Sequence, residues 1–192
     1  MMPHYYHYIH GWFVQENVYT QMVDSCNDTD NYHFVEIGSW KGRSSCFMGV
    51  EILNSGKKIK FDCVDTWLGS EEHTNPKSSH YEPLLEIPDG LYNEFIHNIE
   101  PINKVVNPIR MTSVEASKLY EDESLDFVYI DGAHDYVSVK QDIEHWYPKV
   151  KKGGYIAGDD FDIWAGVPAA VRECFGNDFN IIRGITWLKK KI

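Results

Sequence analysis

The stretch His33-Phe34-Val35-Glu36-Ile37-Gly38-Ser39-Trp40-Lys41-Gly42-Arg43-Ser44-Ser45 decides the fold. A compact, mostly apolar run ends at a glycine, and an apolar helical pattern opens at Arg43 and continues to Leu53. Asn54-Ser55-Gly56 then stops it. Strand, tight turn and helix in that order begin a parallel β-α-β unit. The turn itself excludes two common nucleotide sites. A dinucleotide fingerprint needs glycine two positions after the first, and Trp40 stands there, with Arg43 at the third glycine position. A P-loop needs Gly-Lys-Ser/Thr at a spacing this turn lacks. What remains is a close backbone approach at Gly38, with Ser39 and Ser44 near a helix N-terminus. That suits a nucleoside ligand without a pyrophosphate.

The same rhythm extends outward in both directions. An amphipathic stretch covers Trp12 to Cys26 before the first strand. After it come a strand from Ile59 to Val64 ending at Asp65, a helix from Leu91 to Ile99, a short strand from Pro108 to Met111 and a helix from Val114 to Tyr120. The clearest buried strand is Leu125 to Ile130, ending at Asp131, and the helix Tyr136 to Tyr147 that follows is closed by Pro148. Gly153-Gly154 opens a strand, Tyr155 to Gly158, that ends at Asp159-Asp160. A helix from Val167 to Phe175 precedes two adjoining β-like runs, Phe179 to Arg183 and Ile185 to Leu188. The pattern predicts a single α/β domain over residues 1–192: a doubly wound, Rossmann-like parallel sheet with helices on both faces. Residues 66–90, with Pro76, Pro83, Pro88 and Gly90, interrupt the rhythm and read as a lid inserted over a substrate. Residues 1–30 hold an aromatic and histidine-rich tract and the first helix.

Composition narrows the function classes. The chain of 192 residues is 43% hydrophobic and carries six Trp, twelve Tyr and nine Phe, enough apolar mass for a core. Eighteen Lys and Arg against 29 Asp and Glu give a net charge of −11. That balance opposes a grip on a nucleic-acid backbone. No apolar run approaches the ~18 residues of a membrane span. The N-terminus lacks signal-peptide features, and Cys26, Cys46, Cys63 and Cys174 form no CxxC pair. The expectation is a cytoplasmic protein with reduced thiols and no membrane partner.

In open α/β sheets ligands bind beyond the carboxyl ends of the strands. Asp65 follows the second strand, 27 residues after Gly38, where an acid can accept both ribose hydroxyls. Asp131 and the pair Asp159-Asp160 end neighbouring strands and would crowd three carboxylates into one crevice. Acids that close repel unless a cation sits among them, and all-oxygen donors suit Mg²⁺ or a similar divalent ion. The alternative is that such acids cap the helices that follow.

Together VEIGSWKGRSS, VDTWLGS, VYIDGAHDY and KKGGYIAGDDF (residues 35–45, 64–70, 128–136 and 151–161) resemble a class I S-adenosylmethionine-dependent methyltransferase. More narrowly they resemble the small-molecule O-methyltransferase branch that includes macrocin-type sugar O-methyltransferases. The resemblance implies a seven-stranded sheet, mostly parallel, with an antiparallel last strand. It implies that Glu36 and Gly38 shape the methionine end of the cofactor site with Ser39 and Ser44 close by. Asp65 would hold the ribose, and Thr112 and Ser113 would border the adenine. Asp131, Asp159 and Asp160 fall where related enzymes hold a divalent metal, with Asp131 also facing the cofactor and the reacting centre. Catechol-type enzymes place a lysine base three residues after the first ligand. Here that position is His134.

The reaction expected is methyl transfer from S-adenosylmethionine to a hydroxyl of a small molecule, a sugar or glycosylated metabolite being favoured. A divalent ion, Mg²⁺ first, would orient that hydroxyl, and His134 or a neighbour would take its proton. Trp67, Glu71, Glu72, His73, His80 and Tyr81 are candidate acceptor contacts. The N-terminal tract, with His4, His7 and His10 among tyrosines, is expected to cover the site or to contact another subunit, giving a homo-oligomer. Trp12 and Phe13 are expected to pack the first helix onto the sheet. A nucleoside-binding module without turnover, and a methyltransferase of protein or nucleic acid, are the rival classes. Acids at every strand end oppose the first, and the charge opposes the second.

Overall fold

A computed structural model describes residues 1–192 apart from the side chain of Glu71, so that candidate contact lies outside the described residues. Seven strands form one sheet among the described residues: β1 (Asn31–Ile37), β2 (Lys58–Asp65), β3 (Val106–Arg110), β4 (Leu125–Ile130), β5 (Val150–Gly158), β6 (Asn180–Ile182) and β7 (Thr186–Lys190). Their order is β3-β2-β1-β4-β5-β7-β6. The first five are parallel, and β7 runs antiparallel to both β5 and β6. The last strand of the chain is thus the reversed one, inserted between β5 and the edge. A tight hairpin suffices there, whereas each parallel neighbour needs a crossover.

Helix α1 (Glu16–Ser25) precedes the first strand, and the connections between strands supply α2 (Arg43–Ser55), α3 (Glu71–Thr74), α4 (Gly90–Ile99), α5 (Ser113–Ser117), α6 (Tyr136–Trp146) and α7 (Gly166–Phe175). Strand residues alternate between the two covered faces. Phe34, Phe61 and Phe127 meet Met22 of α1, Phe47 of α2 and Phe95 of α4 on one side. Val35, Val128 and Ile156 meet Ile143 and Trp146 of α6 and Val171 of α7 on the other. Burial on both faces is why these strands read as nearly continuous apolar runs.

Several boundaries differ from the sequence pattern, each for a local reason. Helix α1 starts at Glu16 because the segment from Gly11 to Gln15 crosses the strand tips instead. Helix α5 stops at Ser117, and Tyr120 turns inward so that its hydroxyl donates to Asp62 at 2.9 Å. Gly153-Gly154 lies within β5, where the pairing jumps from Leu125–Val150 to Phe127–Tyr155. The segment 66–90 contains α3 and a 3-10 turn at Pro83–Glu86. At the N-terminus, His4 stacks on Phe47 at 4.5 Å and lies 2.9 Å from Glu51, while the Tyr5 hydroxyl donates to the Asn98 carbonyl. That tract packs on α2, away from the strand tips. No helix among the described residues is long and apolar enough to cross a membrane.

Candidate functional site

The carboxyl ends of β1 to β5 open into a cavity of about 890 Å³. That volume lies in the upper part of the range of small-molecule sites. Gly38 ends β1 with φ +87°, and a Cβ there would stand 1.9 Å from the Asp131 carbonyl oxygen. The close approach that the sequence assigns to a ligand is therefore made first by the protein, where the tip of β1 touches the tip of β4.

Two residues on, Trp40 adopts φ +48°, the left-handed conformation a fingerprint glycine would take more cheaply. Asp65 holds it there. One carboxylate oxygen accepts the Trp40 N–H and the other the Trp67 N–H, each at 2.8 Å. The Trp67 indole then donates to the Trp40 carbonyl at 2.8 Å. Asp65 also lines the cavity, so the acid that organises these two loops faces the ligand space. Burial pushes the Asp65 carboxyl upward, partly offset by these N–H donors.

The other expected residues divide. Ser39 lies fully buried in the cavity wall, and its hydroxyl has no partner among the described residues. Glu36 and Ser44 stand behind the wall rather than on it. Glu36 is fully buried and accepts from the Tyr19 hydroxyl at 2.8 Å and from Ser45, while burial drives its carboxyl upward. Its place is to brace β1 against α1 and α2. Thr112 caps α5, its hydroxyl accepting the Glu115 N–H at 3.3 Å. Ser113 gives its proton to Asp142.

Capping accounts for Thr112 but for none of the three crowded acids. The N-cap of α6 is Asp135, which accepts from Val137 and Ser138, and α7 begins without a side-chain cap. Donor atoms of Asp131, His134 and Asp160 lie within 4.8 Å of one another. The sequence grouped Asp159 with the other two acids, and the structure brings His134 into the group in its place. Asp159 is turned aside because it accepts from the Gln15 side-chain amide and, at 3.4 Å, from the Thr186 hydroxyl. Nothing in the sequence marks Gln15, which lies 144 positions away. Burial, with Asp159 and Asp160 alongside, holds the Asp131 carboxyl well above the usual range.

His134 is the residue the motif spacing singled out. Its Nε2 lies 2.9 Å from Asp160, its Nδ1 3.9 Å from Glu72, and its ring stacks on Trp164 at 5.2 Å, nearly parallel. Burial alone would lower its pKa, but the bond to Asp160 and the charges of Asp160, Glu72 and Asp159 raise it. Such a group is oriented for proton transfer at a cavity wall.

The outer rim is aromatic. Trp12 is 64% exposed, beside His80 at 5.5 Å, which corrects its expected core role, whereas Phe13 is buried. The His73 ring lies tilted against Trp40, with ring centroids 4.2 Å apart. Glu72, His73 and His80 reach the cavity. Trp67 does not; it is buried against Tyr92 and Phe95. Tyr81 points outward and donates to Glu86.

Comparison with known proteins places this geometry. Among solved structures the chain is similar to the O-methyltransferase NovP, with 20% identity over 92% of this chain and 79% of that one and a TM-score of 0.66. It is similar to CalS11, a calicheamicin methyltransferase, with 15% identity over 91% and 76% of the two chains and a TM-score of 0.64. A putative caffeoyl-CoA O-methyltransferase from Staphylococcus aureus matches with 13% identity over 95% and 85% and a TM-score of 0.63. At such identities the likeness is one of fold. An uncharacterized protein, y4gI, of Sinorhizobium fredii (strain NBRC 101917 / NGR234) is 31% identical over 137 residues, 67% of this chain. The match spans 13% of that relative's length. The family model described as a methyltransferase domain matches residues 35–161, from the start of the first strand-turn motif to just past the paired strand-end acids. The chain belongs to this methyltransferase-domain family.

Proposed function

We propose that the domain transfers a methyl group from S-adenosylmethionine to a hydroxyl of a small molecule, with a divalent cation held among the strand-tip acids. The observation that carries this reading is one cavity that joins a nucleoside-type half to a cation-type half. Gly38, Asp65, Thr112 and Ser113 line the first, and Asp131, His134 and Asp160 line the second. Trp40 stands where the fingerprint of a nicotinamide cofactor site needs a glycine for its backbone to meet the pyrophosphate.

The donor set fits a divalent ion, since two carboxylates and an imidazole converge within one coordination sphere and the buried acids repel one another without a countercharge. Asp131 and Asp160 would hold it, and the ion would supply charge that acidifies and orients the acceptor hydroxyl. His134 takes the hydroxyl proton. The acceptor oxygen then forms its bond to the methyl carbon in line with the departing sulfur, which keeps the electron pair of the broken S–C bond. Asp160 steadies the imidazole in this step through the Nε2 contact.

A sugar or glycosylated metabolite is the favoured acceptor. Trp12 and Trp164 offer flat apolar faces at the rim, and Glu72, His73 and His80 offer hydrogen-bonding groups between them. Carbohydrates, with apolar C–H faces and hydroxyl edges, match that mixture. The test is calorimetry with S-adenosylhomocysteine and with NAD, followed by methyl-transfer assays on glycosylated and catechol acceptors with and without chelator. Binding of NAD in preference to S-adenosylhomocysteine would sink the reading, and binding without turnover on any acceptor would favour a nucleoside-binding module.

A further inference from the structure

The segment 11–15 forms part of the cavity wall, yet among the described residues no backbone–backbone hydrogen bond ties residues 11–14 to the sheet. Side chains hold it instead. Arg43 Nη1 donates to the carbonyls of Gly11 at 2.6 Å and Ile9 at 3.2 Å. Phe13 is buried against Tyr19 and Phe47. Arg183 Nη1 donates to the Val14 carbonyl at 3.3 Å. The fourth tie is Gln15, only 4% exposed, whose amide faces two ways. Its Oε1 accepts the Val14 N–H at 2.8 Å, and its Nε2 donates to Asp159 Oδ2. One side chain thus joins the wall to an acid at the tip of β5.

That join is electrostatically weak for its position. A carboxamide is a neutral partner, and the second Asp159 oxygen receives only the Thr186 hydroxyl, at a long 3.4 Å. Asp159 stands alongside Asp131 and next to Asp160 in the chain, but Gln15 keeps it out of the cluster that those two form with His134. A divalent charge held at that cluster attracts a neighbouring carboxylate more strongly than a neutral amide does, and burial magnifies the difference. Cation and Gln15 therefore compete for Asp159.

We propose that Gln15 is a positioning residue that couples the cation to the acceptor wall: Asp159 drawn toward a cation leaves Gln15, and the released amide unpins the segment 11–15. The inference rests on the cation reading given above. Trp12 and Val14 ride exposed on that segment, so the wall an acceptor meets is set after the cation has bound. Linkage makes the effect reciprocal: a pinned wall weakens the cation by the same factor that the cation weakens the pin.

The experiment follows two readouts on the full chain. Titration with Mn²⁺, its free fraction counted by electron paramagnetic resonance, gives the cation affinity, and hydrogen exchange reports the Val14 amide that Gln15 protects. In the wild type, saturating Mn²⁺ should speed Val14 exchange at least about fivefold. Gln15→Ala should bind Mn²⁺ at least about fivefold tighter, with Val14 exchange already fast and indifferent to the ion. Gln15→Met keeps the length of the buried side chain without its polar atoms and should behave the same way, whether or not the alanine variant folds. Unchanged Mn²⁺ affinity in the folded variants, or wild-type Val14 exchange that ignores the ion or slows with it, would overturn the coupling. Failure of the wild type and both variants to bind Mn²⁺ at all would instead overturn the cation reading beneath it, and the coupling with it.

Discussion

Lys41 Nζ lies 2.7 Å from Glu82 Oε2 in an ion pair whose side chains are only 10% and 8% exposed. It fastens the turn after β1 to the segment 66–90, far from either residue's neighbours in sequence. A charge left alone at such a site is expensive, and removing one partner of a buried pair costs about 3–5 kcal/mol. Lys41→Met should therefore lower the unfolding free energy by that order in denaturant titrations. It should also make residues 66–90 the first site of limited proteolysis. Bound S-adenosylhomocysteine and acceptor should slow cleavage there in the wild type, as a lid requires. Identical cleavage with and without both ligands would count against the lid.

Asp62 gives the fold a defined acid limit. Burial alone would raise its pKa, yet hydrogen bonds from His33, Asn107, Lys60 and Tyr120 outweigh that and lower it to about 2. His33 Nε2 lies 2.6 Å and Lys60 Nζ 3.0 Å from Oδ2. An unfolded Asp titrates near ~3.9, so as pH falls the unfolded chain takes the proton first. The stabilisation is complete above that value and is lost as pH drops toward the folded pKa, a change of about 2 kcal/mol. Asp62→Asn should be less stable at neutral pH and should show a flatter stability profile between about pH 4 and 2. A parallel profile in the two proteins would remove Asp62 as the cause.

The strand ends are legible in the sequence because a short apolar run that stops abruptly at a glycine or an acid marks where a buried strand meets the ligand edge of a parallel sheet. Gly38, Asp65, Asp131 and Asp160 all reach the cavity from such positions. Two things are not legible. One is the second partner of a side chain: Asp65 binds the N–H groups of Trp40 and Trp67, and Asp159 is drawn off by Gln15, contacts that only the folded chain creates. The other is which face a residue takes when its strand is buried on both sides. The motif puts Glu36 at the cofactor, and in the fold it meets Tyr19 and Ser45 behind the wall. Trp12 and Trp67 exchange their expected places because aromatic type alone does not distinguish rim from core.

Asp65 can be tested for two separable effects. Asp65→Ala removes the acceptor proposed for the ribose and releases the Trp40 and Trp67 amides. Affinity for S-adenosylhomocysteine should fall by about 1–3 kcal/mol, the range for lost hydrogen bonds at a polar site. Thermal stability without ligand should fall as well, since Trp40 then holds its left-handed conformation without its amide partner. Unchanged affinity with lowered stability would assign Asp65 to the loops alone.

The cation and the base can be separated through Asp131, Asp160 and His134. Chelation should abolish methyl transfer while leaving S-adenosylhomocysteine affinity largely intact, and Mg²⁺ should restore the rate. Asp160→Ala should not be rescued at ordinary metal concentrations, because it removes a donor of the cluster and the partner of His134 Nε2 at once. Gln15→Ala should free Asp159 from its amide donor and so raise metal affinity if Asp159 can swing into the cluster, a shift read directly by metal titration. His134→Ala is the discriminating variant. Should His134 act only as a base, metal and S-adenosylhomocysteine binding persist while the rate falls by about 10²–10⁴. Loss of metal affinity in the same variant would make the imidazole a ligand, and the proton would then need another acceptor, with Glu72 nearest on the Nδ1 side at 3.9 Å. Full activity in a preparation shown to be free of metal would defeat the cation altogether, because Asp131, Asp159 and Asp160 would then have to share protons to coexist in the buried crevice.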